Sequence, residues 1–207
     1  MKHIPNLLTI GRLVAGVLMF LFLAAAAGGL PFISESVTPD GQFALERWAL
    51  IAFVLAAITD FFDGWLARKL DAVSAWGTIL DPIGDKILVC GAILGLAALG
   101  AQPQIATPFA VILFREFAVS ALREGAAPKG VKIPVTMLAK WKTTLQLVAI
   151  FAEVLVQTWA AWGLPADPGV QGPATTVAHV LLWIAAAITF WTGYEYWHKA
   201  HVAIGDD

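Results

Sequence analysis

The sequence predicts an all-α integral membrane protein, a single domain over residues 1–207 with six transmembrane helices and both termini in the cytoplasm. Three observations lead there. The chain is 59% hydrophobic with a mean hydropathy of +0.76, well above the roughly 45–50% apolar content of soluble domains. Apolar runs of about 20 residues, the length a helix needs to cross a hydrocarbon core, recur at 7–27, 45–66, 76–99, 105–122, 138–159 and 175–197. These use most of the chain and leave no room for a soluble domain. Finally, the net charge of −2 hides a sorted distribution. Lys2, Arg68, Lys69, Arg123, Lys129, Lys132, Lys140, Lys142 and Lys199 fall on one side of the predicted spans. Glu35, Asp40, Glu46 and Asp167 fall on the other, with Arg47 its only cation. Because orientation follows Lys and Arg in short loops, the basic side is assigned to the cytoplasm.

The first span follows "MKHIPNLLTIGRLV". One lysine precedes the apolar run and no small-residue cleavage site is evident, so it reads as a retained helix rather than a signal peptide. Pro and Gly punctuate the connections "GGLPFISESVTPDGQ", "GAQPQ", "EGAAPKGVKIP" and "GLPADPGVQGP", which read as loops. Trp48, Trp65, Trp76, Trp141, Trp159, Trp162 and Trp197 fall near span ends, where an amphipathic ring suits the headgroup region. Trp183 and Trp191 read as space-filling. Cys90 stands alone in the third span, which excludes an intrachain disulfide. The four histidines form no cluster by spacing.

The second and third spans carry the chemistry. In "ITDFFDGWLAR" a helix puts Asp60, Asp63, Gly64 and Ala67 on one narrow face. In "GTILDPIGDKI" Gly77, Asp81, Gly84 and Asp85 recur in the same way. The intervening "KLDAVSA" is short, so the two spans are expected to be antiparallel neighbours with facing acidic surfaces. At about 1.5 Å per residue, all four carboxylates can meet in one layer below the basic boundary. A charge at mid-span costs on the order of 2.5–3.5 kcal/mol. Four acids in one layer repel one another unless concentrated positive charge balances them. A structural ion pair, with Arg12, Arg68, Lys86 or Arg115 as partner, is the lesser reading. One or two divalent ions are the better one, and oxygen-only ligands favour a hard cation such as Mg²⁺, Mn²⁺ or Ca²⁺. Gly64 and Gly77 leave room for a bulky ligand or for close helix packing, and Pro82 is expected to kink the third span beside Asp81.

The run Asp60-x2-Asp63-Gly64-x2-Ala67-Arg68-x8-Gly77-x3-Asp81-x3-Asp85 fixes eight residues over 26 positions. With every spacing intact it resembles the signature of the CDP-alcohol phosphatidyltransferase family. The resemblance implies that family's six-helix fold, commonly a homodimer, in a multi-pass protein of the cell (inner) membrane with its active site facing the cytoplasm. It implies Asp60, Asp63 and Asp81 as metal ligands, with Asp85 beside the metal as a further ligand and the general base. It places Gly64, Ala67, Arg68 and Gly77 around the CDP moiety, together with Asp60 and Asp63. The implied cofactor is Mg²⁺ (Mn²⁺ possible), with two ions.

Outside the signature, "NLLTIGRL", "REFAVSALRE" and "KWKTTLQ" resemble the corresponding parts of the family's phosphatidylglycerophosphate synthases, although Ala139 stands where a glycine is expected. That resemblance implies transfer of a phosphatidyl group from CDP-diacylglycerol to sn-glycerol 3-phosphate. Partners would then be those two substrates, membrane lipid and a second copy of the chain, with no nucleic acid. A dianionic acceptor needs cations. Arg115, Arg123, Lys140 and Lys142 are the candidates for its phosphate, and Arg115 is preferred because it lies deepest in a span. At cytoplasmic span ends such cations also simply set topology or meet anionic lipid. Inositol phosphate, serine and phosphatidylglycerol remain open as acceptors. A cation or proton transporter, using intramembrane Asp residues as a relay, is the rival from another class, and a catalytically dead scaffold is a third.

Overall fold

A computed structural model describes residues 4–33, 36–70, 75–127 and 137–204, with side chains described at all of these except 4–6, 61–70, 75–79, 81, 137, 139–140 and 203–204. Six long helices follow in order: α1 (Ile4–Ala26), α2 (Pro39–Leu70), α3 (Ala75–Ala98), α4 (Ala106–Ala126), α5 (Met137–Gln157) and α6 (Pro168–Ile204). Each coincides with one predicted span, and there is no strand among the described residues. Four stretches are long and apolar enough to cross a membrane among the described residues: Leu7–Ala26, Pro39–Asp60, Pro103–Ala126 and Pro168–Val202. The protein is thus all-helical with several membrane spans.

Two helices are longer than their apolar runs. The predicted loops before them contain start signals that outweigh the loop composition. Thr38 caps α2 by accepting a hydrogen bond at Oγ1 from the Gly41 amide at 3.2 Å, and Pro39 is the first helical residue. Asp167 caps α6 in the same way, accepting from the Gly169 amide at 2.8 Å, and is followed by Pro168. A capping side chain satisfies an otherwise orphan amide, and Pro at the first helical position gives up no needed donor. The 32 residues of α2 and 37 of α6 therefore extend beyond a hydrocarbon core of about 30 Å. Helix α3 runs through Pro82 and α6 through Pro173.

At the other ends, Gly28 and Gly100 have φ of +78°. The amide of Gly29 bonds to the Ala24 carbonyl and that of Gly28 to Ala25, and Ala101 and Gly100 repeat the pattern on Leu96 and Ala97. These are Schellman stops, in which a left-handed glycine closes off the last carbonyls.

By contacts the chain sorts into two compact units, Met1–Ala101 with Ile150–Thr175, and Gln102–Ala149 with Thr176–Asp207. In the first, α1 packs on both α2 and α3. The α1–α3 seam is close to backbone contact. A Cβ added at Gly16 would lie 3.3 Å from Leu88 Cα, one at Gly91 3.1 Å from the Gly16 carbonyl oxygen, and one at Gly95 2.6 Å from Leu23 Cδ1. Residue pairs 16/88 and 23/95 advance together, so α1 and α3 run parallel. Small residues at a seam let helices approach where lipid offers no hydrophobic drive. On α2, the buried Ala49, Phe53 and Ala56 form one stripe whose next member at helical spacing is Asp60.

In the second unit, α6 buries a stripe of Ala178, Leu182, Ala185, Thr189, Thr192, Tyr196 and Ala200, each below 9% exposed. The stripe follows helical three- and four-residue spacing and changes from apolar to polar at Thr189. Trp183 and Trp191, expected to fill interior space, instead lie on outward faces at 48% and 56% exposed. Large apolar side chains facing out are normal where the solvent is lipid.

Candidate active site

The first unit assembles its charged site from three helices. Arg12 of α1 is 1% exposed, and a charge that deep requires a partner. Among the described residues, Nη1 pairs with Asp60 Oδ1 of α2 and with Asp85 Oδ1 of α3, the latter at 2.9 Å. Gly84 makes this possible, because a Cβ there would stand 3.1 Å from Arg12 Nε. The glycine beside Asp85 thus lets the guanidinium lie against α3.

Two of the four predicted aspartates, Asp60 and Asp85, are therefore brought to one guanidinium on α1. The ion pair that sequence reasoning ranked below a metal site is also present, with Arg12 as the partner. The ion pair leaves part of each carboxylate exposed. The side chains of Asp60 and Asp85 keep 31% and 51% of their surface open, and each has a second oxygen. Asp63, Gly64, Ala67 and Arg68 lie within α2, and Gly77 and Asp81 within α3, but their side-chain environment lies outside the described residues. For a divalent ion the described donors fit in kind. Asp60 and Asp85 offer carboxylate oxygens from two helices, the hard donors that Mg²⁺ and Mn²⁺ bind, although no group of three or more such ligands gathers among the described residues.

The second unit holds most of the predicted cations. Arg115 of α4 donates through Nη1 to Glu116 Oε1 at 3.3 Å and through Nη2 to Thr192 Oγ1 of α6 at 3.5 Å. Lys142 of α5, 4% exposed, pairs with the same Glu116 oxygen. Arg123 Nη2 donates to the Tyr196 hydroxyl at 2.7 Å. Gln146 Nε2 donates to Thr189 Oγ1 at 2.8 Å, which ties α5 to α6 below this cluster. Arg115 and Lys142 thus share the Glu116 carboxylate, and Arg123 lies against Tyr196. Lys142 is the most committed of the three, since it is buried against Glu116. The Lys140 side chain lies outside the described residues.

Glu116 is adjacent to Arg115 in the chain and so is a partner that local sequence can suggest. Tyr196, Thr192 and Thr189 are absent from the residues that the sequence motifs single out. Their signal was legible: polar residues at 189, 192 and 196 repeat at helical spacing within an apolar span, and inside a membrane such groups face protein rather than lipid.

A family model described as CDP-alcohol phosphatidyltransferase matches residues 2–191. Similar curated proteins cover almost the whole chain. A Cereibacter sphaeroides protein is 36% identical over 99% of this chain and 98% of its own length. One from Rickettsia typhi is 38% identical over 95% and 96%, and one from Bacillus subtilis 34% identical over 96% and 95%. All three are named CDP-diacylglycerol–glycerol-3-phosphate 3-phosphatidyltransferase. With a match that reaches from α1 into α6 and includes Asp60 and Asp85, the chain belongs to the CDP-alcohol phosphatidyltransferase family.

Proposed function

We propose that the protein is a membrane transferase that moves a phosphatidyl group from CDP-diacylglycerol to sn-glycerol 3-phosphate, giving phosphatidylglycerophosphate and CMP. The observation that carries this reading is the meeting of Asp60 and Asp85, two signature carboxylates from different helices, at the single nitrogen Arg12 Nη1. Relatives bearing the corresponding name at 34–38% identity over nearly full length support the acceptor. Family membership weighs against the transporter, and the presence of all four signature aspartates weighs against the scaffold.

Asp60, Asp63, Asp81 and Asp85 would hold Mg²⁺ or Mn²⁺, two ions in all. When bound, the metal supplies charge neutralisation at the diphosphate and stabilises leaving and attacking oxygens. The chain's own groups do the rest. Gly64, Ala67, Arg68 and Gly77 bind and orient the CDP moiety. Arg12 holds the Asp60 and Asp85 carboxylates in register from beneath. Asp85 accepts the acceptor's hydroxyl proton as the new P–O bond forms and the bond to CMP breaks. Arg115, Arg123, Lys140 and Lys142 supply positive charge for the acceptor phosphate, with Lys142 already partly neutralised by Glu116. Six crossings with cytoplasmic termini put this chemistry at the cytoplasmic face of the inner membrane, in one six-helix domain that pairs as a homodimer. The donor then arrives laterally through lipid.

The test is CMP release by the purified protein in detergent with CDP-diacylglycerol, with and without Mg²⁺, across glycerol 3-phosphate, serine, inositol phosphate and phosphatidylglycerol. Release requiring metal and glycerol 3-phosphate is expected. Asp85→Asn should lower kcat by about 10²–10⁴-fold while donor binding persists. Release with a different acceptor corrects the substrate, and none with any acceptor from folded protein rejects the transferase reading.

A further inference from the structure

Arg115 and Arg123 lie eight residues apart on α4, about 12 Å along its axis. Their guanidinium groups nevertheless reach one ring. The Cζ atoms of Arg115 and Arg123 are 5.8 Å and 5.1 Å from the centroid of Tyr196, and Arg123 also donates to the Tyr196 hydroxyl at 2.7 Å. Tyr196 is itself 2% exposed, so the ring is fixed by its surroundings. Convergence of two like charges needs an offset. An electron-rich ring face and a hydroxyl lone pair supply one to both cations at once.

The rest of α6 is shaped to the same end. Thr192, one turn before Tyr196, accepts from Arg115 Nη2 at 3.5 Å. At Gly193 a Cβ would fall 2.8 Å from Arg115 Cγ, so the arginine stem crosses α6 where only glycine leaves room. A buried aromatic that merely filled space would need neither the hydroxyl contact nor a passage cut for one of its neighbours.

We infer that Tyr196 is a positioning residue that sets the separation of Arg115 and Arg123, so that both engage one phosphate monoester dianion. It acts through the arginines and touches no reacting atom. The inference rests on the proposed role of those arginines in acceptor binding.

The experiment uses full-length Tyr196→Phe, Tyr196→Leu and Arg123→Ala. Steady-state CMP release is measured with each substrate varied in turn, together with inhibition by inorganic phosphate as a simple dianion probe. Tyr196→Leu should raise the KM for glycerol 3-phosphate about tenfold, the scale of one lost cation–ring and hydrogen-bond set. The phosphate Ki should rise in parallel, with kcat and the donor KM within about twofold. Tyr196→Phe, which keeps the ring and loses the hydroxyl, should give an intermediate rise of about two- to threefold, and it still reads the hydroxyl's role should the leucine variant not fold. An acceptor KM and phosphate Ki that stay unchanged in the Tyr196 variants while Arg123→Ala raises them would overturn the positioning role alone. Unchanged values in Arg123→Ala as well would overturn the acceptor reading beneath it. A fall in kcat with both KM values altered together would make Tyr196 a packing residue.

Discussion

Arg12 is the residue on which the most depends. It is almost wholly buried and holds carboxylates from two other helices, so it serves at once as a strut and as a stand-in for positive charge at the proposed metal position. Its loss would remove from Asp60 and Asp85 the guanidinium that both contact. Because both retain contact with solvent, they recover part of the cost by hydration. Arg12→Gln should therefore destabilise the metal-free protein by about 1–3 kcal/mol, the range for hydrogen bonds to charged groups. Thermal unfolding with and without Mg²⁺ checks this. The ion should restore more stability to the variant than to the unaltered protein, since it replaces the missing charge, and an equal response in both would remove the carboxylates from metal binding. The sequence pattern displayed these carboxylates through spacing alone. It could not choose Arg12 among four candidate cations, because that choice depends on which helix lies against α2 and α3.

Among the elements, the α1–α3 seam is the most constrained. Gly16, Gly91 and Gly95 bring two backbones together, and Arg12 sits on Gly84 in the same run of contacts. Closing that seam positions the guanidinium on α3. The contact of Gly95 with Leu23 is the tightest, and Leu23 is fully buried. Gly95→Ala should cost about 1–3 kcal/mol through overpacking, and Leu23→Ala in the same chain should recover part of it. A double-mutant cycle by thermal unfolding measures the coupling. Additive effects would show that the two side chains do not share the space. The glycines of this seam were visible in the sequence, but their partners were not, since helical spacing specifies a face and not what covers it. Helix ends show a similar divide. Thr38-Pro39 and Asp167-Pro168 are local signals that composition read as loop, because a proline-rich stretch before a helix and a proline-rich loop look alike until the capping bond is seen.

For the whole molecule, the sorted charges predict orientation. A reporter that fluoresces only in the cytoplasm, joined after Asp207, should be active, and a phosphatase active only outside the cytoplasm, placed in the loop after α1, should also be active. The reverse pattern would invert the protein and put the basic side outside, against the bias of Lys and Arg toward the cytoplasm.

The sequence by itself determined the all-helical membrane class, the position of each of the six helices and the acidic signature of α2 and α3. Each of these rests on local information: length of apolar run, helical spacing and residue type. Tertiary structure alone decided that α1 runs parallel to α3, that Arg12 is the cation between Asp60 and Asp85, and that Tyr196 gathers Arg115 and Arg123. These are contacts between residues 48 to 81 positions apart in the chain. Such pairings are set by which buried charge finds a counter-charge and which small residue admits a neighbour, and those energies exist only once the helices have packed.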